Sequence, residues 1–265
     1  MTDAGVGIYA YAVVGAGERL PLDEQPDVEV VSQGGLSAIV SRVSLEEFGA
    51  EALKRNLEDL EWLERTARAH QAVVDRALTA TDALVPLRLC TIFTDEAHVR
   101  EMLDREGEVL EEALARLRGH AEWSVKVLAD PTALQRAARE RSSAAAGVGA
   151  ETSPGRAYLA RRKLDRVVRD EARALAEAAV EEIHARLCEQ ATAATVLPPQ
   201  RREVSGRAGE MLLNGAYLVP RARASEFGAL VAELAAGRRE LGLEVELTGP
   251  WAPYNFVVAD REAVP

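Results

Sequence analysis

The residues best suited to chemistry in this sequence are four histidines, two cysteines and a set of arginines. The histidines stand apart along the chain, and only His184 has another potential metal ligand, Cys188, at the four-residue spacing of a helix face. A structural zinc site needs four ligands, so this pair does not predict one. We therefore expect no metal site, and we expect both Cys90 and Cys188 to be reduced thiols in the core.

Catalytic motifs are also missing from the sequence. No GxSxG, GxGxxG or GxxxxGK[ST] pattern occurs, which removes the main support for a serine hydrolase, a dinucleotide-binding enzyme or a P-loop protein. His70 lies between Ala67 and Val74 on the apolar stripe of a helical pattern. A histidine in such a place is more often a core residue with a hydrogen-bond partner than a general base.

Arginines give the first hint of a contact surface. Arg88 lies inside a mainly apolar strand, where an unpaired guanidinium is costly, so it needs a carboxylate partner or exposure at a strand end. Four more arginines fall within about 60° of one another on a long helical pattern, opposite Leu164 and Val168. These four are Arg162, Arg166, Arg169 and Arg173. They form either a solvated face paired with neighbouring acids or a docking surface for an acidic protein partner.

A second candidate surface is the sequence GPWAPYNFVV near the end of the chain. Two prolines stiffen this segment, which carries Trp251, Tyr254 and Phe256. Rigid aromatic side chains of this kind either cover a sheet edge or grip a partner protein. We therefore name these three residues, with Arg88 and the four arginines of the stripe, as candidate partner-binding residues.

The elements that must position these residues form two groups, as 265 residues allow. The first group reads strand, hairpin, helix, strand, helix, which indicates an α+β domain over residues 1–119. Its predicted strands are 6–14, 28–31, 36–43 and 84–93, and its predicted helical stretches begin at Ser44 and cover 56–80 and 95–117.

The second group has the order βαββαβ, the order of a ferredoxin-like fold, over residues 120–265. Its predicted strands are 122–128, 194–197, 211–219 and 243–247, and its predicted helices start at Pro131 and cover 155–189 and 224–239. Residues 142–149 are small and are expected to form a flexible excursion. We predict an α+β protein whose second domain is a modified ferredoxin-like sandwich.

Composition narrows the range of partners and locations. The net charge of −11 disfavours binding to a nucleic-acid backbone. No apolar run reaches the 18 residues of a membrane span, and the first residues lack the basic start of a signal peptide. The expected location is the cytoplasm, without nucleic acid or membrane as a partner.

Eight pieces of the chain, in order, resemble the gas vesicle protein GvpL/GvpF family. They are IYAYAVV (8–14), GGLSAIVSRV (34–43), Trp62 with His70, VPLRLCTIF (85–93), WSVKV (123–127), GRAYLARRK (155–163), AYLVPR (216–221) and LTGPWAPYNFV (247–257). The chain departs from the family at Leu89 and Cys90, where phenylalanine and glycine are usual, and at Ala252, where a proline is usual.

The resemblance implies a two-domain α+β protein that helps to build the gas-filled protein shell of buoyant prokaryotes. It implies contacts with the small, hydrophobic major shell protein and with other accessory gas vesicle proteins. It implies a location at the gas vesicle within the cytoplasm, and neither enzymatic activity nor a cofactor.

Two other functions remain open at this point. A small-molecule sensor or regulatory enzyme would need a concave pocket around Arg88 or His70. An RNA-binding sheet would need exposed aromatic residues on its central strands, which offer only Trp123 and Tyr217.

Overall fold

The computed structural model describes residues 5–18, 20, 27–141, 154–199 and 209–257. The predicted excursion at 142–149 lies outside these residues. The chain divides into two compact units, of which the first comprises Met1–Glu122 and Pro250–Pro265 and the second comprises Trp123–Gly249. The first unit thus includes residues 250–265. The domains predicted from the sequence, 1–119 and 120–265, place these residues in the second domain.

The first unit contains a four-stranded sheet in the order β2-β3-β1-β4, in which every neighbouring pair is antiparallel. Its strands are β1 (Val6–Gly15), β2 (Val28–Gln33), β3 (Leu36–Ser44) and β4 (Val85–Phe93). Its helices are α1 (Leu45–Phe48), α2 (Ala50–Asn56), α3 (Leu60–Ala80), α4 (Glu96–Arg105) and α5 (Gly107–Leu117). Residues of β1, β3 and α3, with Ala252, form one apolar core cluster of this unit.

Side-chain caps fix where the helices of this unit begin. The Asp59 carboxylate accepts hydrogen bonds from the backbone N–H groups of Glu61 and Trp62, which starts α3. Asp95 caps α4 in the same way. The prediction of one helix over 95–117 was wrong, because the backbone of Glu106 (φ −102°, ψ 7°) leaves the helical range and is followed by Gly107, a weak helix former.

β4 is interrupted in its middle by a long bulge. Ala10 pairs with Thr91 and Ala12 pairs with Pro86, so the four residues 87–90 of β4 stand opposite a single residue of β1. Cys90 ends the bulge with φ +61°. A left-handed conformation costs a residue with a Cβ about 1–2 kcal/mol, so the bulge must be held by other contacts.

The second unit contains a four-stranded sheet in the order β6-β7-β5-β8. Its strands are β5 (His120–Ala129), β6 (Ala193–Val196), β7 (Glu210–Pro220) and β8 (Leu243–Trp251), of which β5 and β8 also supply residues to the first unit. Its helices are α6 (Pro131–Arg141), α7 (Pro154–Cys188) and α8 (Ala224–Arg238). The mixture of helix and sheet that the sequence predicted is therefore confirmed, and the structure shows that both sheets are antiparallel.

The core of the second unit is built around Tyr217, whose ring is fully buried. The ring lies 5.7 Å from that of Phe227, and its hydroxyl lies 2.8 Å from Nδ1 of His184. Gly215, two residues earlier on the same face of β7, lies beneath this ring, and a Cβ there would be only 2.7 Å from Cε2 of Tyr217. The position therefore requires glycine because of a close approach.

We expect Gly215→Ala to lower the free energy of unfolding by about 1–3 kcal/mol, since the added methyl group overlaps a buried ring that has no room to move. Gly237→Ala is the matched control, because a Cβ at Gly237 meets nothing within 4 Å. That change lies inside α8 and should be neutral or stabilising by up to about 1 kcal/mol. Urea unfolding followed by circular dichroism measures both, and equal stability of the two variants would contradict the expectation.

Candidate functional site

The most concentrated group of polar side chains in the first unit surrounds His70 on α3. The imidazole is buried, and each of its ring nitrogens meets a tyrosine hydroxyl. Nδ1 lies 2.9 Å from Oη of Tyr9 on β1, and Nε2 lies 3.0 Å from Oη of Tyr254 near the end of the described chain. His70 is therefore the core histidine with hydrogen-bond partners that the apolar stripe indicated.

The hydrogen bonds around His70 form a directed chain. The backbone N–H of Cys90 donates to Oη of Tyr9 at 2.9 Å, which leaves the Tyr9 hydroxyl free to donate to Nδ1 of His70. In the tautomer with Nε2 protonated, this nitrogen donates to the Tyr254 hydroxyl, which lies 3.0 Å away. Burial lowers the pKa of His70, although a hydrogen bond with the backbone of Leu87 raises it in part. The ring is thus held in its neutral form, and the same chain anchors the strained end of the bulge.

Aromatic rings enclose this chain of hydrogen bonds. The ring of Tyr11 lies 4.6 Å from that of Tyr9 and 5.6 Å from the imidazole, and Phe48 meets Tyr9 edge to face at 5.6 Å. Burial raises the pKa of Tyr9 and of Tyr11, so both hydroxyls stay protonated. These groups are suited to holding segments together, because none of them is poised to exchange a proton near neutral pH.

The end of the described chain returns to the first unit, and we call residues 250–257 the return segment. Besides the Tyr254 hydroxyl, the side-chain amide and backbone N–H of Asn255 donate to the buried Glu122 carboxylate at 2.6 and 3.0 Å. Burial raises the pKa of Glu122, and the two hydrogen bonds from Asn255 oppose that rise. Nη2 of Arg116 donates to the carbonyl oxygens of Phe256 and Val257 at 3.3 and 2.8 Å.

The aromatic residues of the return segment differ in how much surface they offer. Phe256 is only 8% exposed, which leaves little of its ring for a partner, whereas Trp251 and Tyr254 are each more than one-third exposed. Burial raises the pKa of Tyr254 to about 12, so its hydroxyl is neutral where it meets His70. The segment is thus fastened by Tyr254, Asn255 and Phe256, while the Trp251 side chain is 38% exposed.

Arg88 lies at the bulge of β4, which is neither the carboxylate pair nor the exposed strand end that the sequence left open. The bulge lifts residues 87–90 out of the pairing with β1, so the guanidinium is exposed in the middle of the strand. Within the described ranges no carboxylate pairs with it, and its carbonyl oxygen accepts a hydrogen bond from Thr91. Exposure therefore removes the penalty of burying an unpaired guanidinium.

The four arginines of α7 lie on one exposed face, but they differ in their partners. Arg173 forms an ion pair with Glu177 at 2.7 Å, and Nε of Arg169 donates to the backbone carbonyl of Asp165. The guanidinium of Arg162 lies 6.0 Å from the centre of the Tyr158 ring. Arg166 is exposed and has no acidic partner in the part of the chain that the structure covers. Free positive charge therefore concentrates toward the N-terminal end of this face.

Metal and ligand sites are limited in the described ranges. No group of three or more His, Cys, Asp or Glu residues there could hold a metal ion. His184 lies 3.6 Å from Sγ of Cys188 and is hydrogen-bonded to Tyr217, which ties the pair into the core. A groove of about 640 Å³ runs between α6, α7 and the start of β7, and neither Arg88 nor His70 lines it.

Sequence patterns did not indicate that Tyr9, Arg116 and Glu122 join segments of the first unit that are far apart in the sequence. Each of these residues acts on a partner far along the sequence, for example Glu122 on Asn255. The one available signal was an acidic residue, Glu122, at the start of a predicted apolar strand, because a buried carboxylate requires donors.

Comparisons with known proteins point to one family. Residues 7–258 match the family model described as gas vesicle synthesis protein GvpL/GvpF. Gas vesicle protein L of Streptomyces sp. (strain CB03234) is 41% identical over 235 residues, which cover 89% of this chain and 85% of that protein. Gas vesicle protein L2 of Halobacterium salinarum is 26% identical, with 94% and 91% covered.

Solved structures show the same fold. The crystal structure of the gas vesicle protein GvpF from Anabaena sp. PCC7120 superposes with a TM-score of 0.66 at 19% identity, covering 98% of this chain and 99% of that one. GvpF from Microcystis aeruginosa gives the same TM-score and identity, with 96% and 99% covered. Among the described helices, none has the length and apolar character to cross a membrane.

We expect Asn255→Ala to destabilise the first unit by about 1–3 kcal/mol, because it leaves one oxygen of the buried Glu122 carboxylate without its donor. Asn56→Ala is the matched control, since Asn56 donates to an exposed carbonyl of Glu47 and should cost less. Urea unfolding gives the two free energies, and hydrogen exchange at residues 250–257 shows whether the return segment opens first. Unchanged protection of that segment in Asn255→Ala would contradict its fastening role.

The stability of the first unit should fall as the pH drops below the ordinary His pKa of about 6.5. Stability falls on acidification because the pKa of folded His70 is lowered, so the unfolded chain takes up a proton more readily than the folded one. The surrounding Tyr and Cys groups titrate above this range. Replacing His70→Gln should flatten the stability curve between about pH 7.5 and 5.5.

His98→Gln serves as the opposite control, because the neighbouring Asp95 raises the pKa of His98. Its contribution to stability is present at low pH and is lost as the pH rises, so its removal should steepen the fall on acidification. Thermal unfolding at several pH values measures both variants. A His70→Gln curve parallel to that of the wild type would sink the expectation.

Proposed function

Because the chain belongs to the GvpL/GvpF family of gas vesicle synthesis proteins, we propose that it is an accessory or minor structural protein of gas vesicle assembly. The family match over residues 7–258 is the observation that carries this proposal. It makes the chain a protein of gas vesicle formation, and the finer role is our inference. In that role the protein contacts the major shell protein and other gas vesicle proteins at the vesicle, within the cytoplasm.

The chemistry of the buried polar groups supports a role without bond making. His70 and Glu122 are both engaged in hydrogen bonds that hold the return segment in place. Burial raises the pKa of Cys90 and of Cys188, so the thiolate form that a nucleophile needs is disfavoured. These side chains act as fasteners in the fold, which is why we propose that the protein works by surface contact rather than by catalysis.

Two exposed regions support contacts with other proteins. The first is the arginine face of α7, where Arg162 and Arg166 carry free charge. The second consists of Trp251 and Tyr254, which are partly exposed and held rigidly by the return segment. Rigid aromatics and arginines are the residue types that carry most binding energy at protein interfaces.

We also infer that the second unit is a modified ferredoxin-like domain. Its elements follow in the order β5, α6, α7, β6, β7, α8, β8, and its sheet has the order β6-β7-β5-β8. A split βαβ fold places its last strand beside its first and its second strand at the opposite edge, which this order reproduces. The use of two helices, α6 and α7, between the first two strands is the modification.

The contact role is tested by co-purification with the major shell protein. We expect Arg162→Glu, Arg166→Glu and Arg169→Glu together to reduce recovery of the complex by about tenfold or more, because charge reversal turns attraction to an acidic surface into repulsion. A triple variant with Arg65, Arg118 and Arg136 changed to Glu is the matched control, since it makes the same change in net charge at exposed positions elsewhere.

Circular dichroism must first show that both triple variants fold like the wild type. Equal recovery of the two would mean that the arginine face is only a solvated surface. Deletion of the gene tests the assembly role itself, for which we expect loss or malformation of gas vesicles by electron microscopy. Normal vesicles in the deletion strain would refute that role.

A further inference from the structure

The two units of the chain differ sharply in charge. The first unit has 13 Lys and Arg residues against 26 Asp and Glu residues, a net charge of −13. The second unit has 19 against 17, a net charge of +2. The net negative charge of the protein therefore comes from the first unit, whereas the second unit has a small net positive charge.

That positive charge is concentrated in the first described turns of α7, residues 158–167, which we call the basic arm. None of these ten residues is buried, and the residue that follows them, Val168, is buried. The arm holds four cations and one acid, Asp165, which is already paired with Arg139 of α6 at 3.0 Å. Within these ten residues, four cations therefore stand beside a single acid that is engaged with α6.

The outer face of the arm combines charge with exposed apolar surface. Its members span about 140° of the helix, on the side away from Val168. They are Tyr158, Leu159, Arg162, Lys163 and Arg166. Tyr158 is 60% exposed and Leu159 is 65% exposed, which is unusual for large apolar side chains so close together. Arg162 and Arg166, four residues apart, repel each other, so binding of an acidic surface would relieve the repulsion.

A surface of matching chemistry lies on α5 of the first unit. Glu108, Glu111 and Glu112 are exposed at helical spacings of three and four, and no cation pairs with them among the residues that the structure describes. Between them Val109 is 62% exposed. The acidic turn that ends at Asp59, directly before α3, is a less suitable surface for the basic arm to bind, because the Asp59 carboxylate caps that helix.

We propose that the outer face of the basic arm binds the acidic face of α5 on a second copy of this chain. Arg162, Lys163 and Arg166 meet the three glutamates, and Tyr158 and Leu159 cover Val109. Each face relieves the like-charge repulsion of the other, and the exposed apolar atoms of both leave water together. Arg162 and Arg166 also belong to the surface proposed for the shell protein, so self-association is measured on the purified chain alone, where the shell-protein contact contributes nothing.

The test is self-association of the purified full-length protein, followed by sedimentation velocity over a concentration series. The wild type should associate at low ionic strength and dissociate as salt screens the contact. Arg162→Glu, Lys163→Glu and Arg166→Glu together should raise the self-dissociation constant by at least about tenfold, as should Glu108→Arg, Glu111→Arg and Glu112→Arg together. A chain that carries all six changes should associate again, because its two faces are complementary with their signs exchanged.

Two further measurements make the test decisive. An equimolar mixture of the two triple variants should associate, since each supplies the face that the other lacks. The variant with Arg65, Arg118 and Arg136 changed to Glu has the charge of the arm variant and should associate like the wild type. A wild type that stays monomeric at low salt, an arm variant that associates normally, or a six-change chain that does not recover would each overturn the proposal.

Discussion

The first unit depends on one buried imidazole, that of His70, whose two ring nitrogens are both hydrogen-bonded. His70 meets Tyr9 from the first strand and Tyr254 from the last described turn, so residues 245 positions apart in sequence share one ring. A polar group buried away from water must keep its partners, because an unmade hydrogen bond costs more than a made one contributes. The unit therefore requires both of these segments at once, and Glu122 and Arg116 reinforce the second.

Local patterns in the sequence predicted most of the helices and strands, but they could not predict contacts between residues that are far apart in the sequence. Helical periodicity predicted α3 and α7 because it is repeated every few residues, but it also ran through Glu106 and hid the break between α4 and α5. The partners of His70 could not be predicted, since no local pattern links residue 70 to residue 254. The left-handed backbone of Cys90 was equally hidden, because glycine is the residue type that suits this conformation.

The separation of charge between the units bears on specificity. The arginines of α7 stand on a helix that buries one stripe of side chains from Val168 onward, and Arg173 among them is paired with Glu177. In the return segment, by contrast, some side chains hold the segment in place and others are exposed. Phe256 is buried, whereas Trp251 is partly exposed. Each unit thus presents charge of its own sign, which favours partners of complementary charge and disfavours partners of the wrong charge.

The return of the chain to its first unit also sets an order of events during synthesis. Residues 123–249 lie between the two parts of that unit, so a ribosome has translated the whole second unit before Tyr254 and Asn255 are available. The nascent first unit must wait with the Glu122 carboxylate and one nitrogen of His70 lacking their partners, at a stage when exposed apolar surface invites aggregation. Products truncated before residue 250 would remain in that unfinished state.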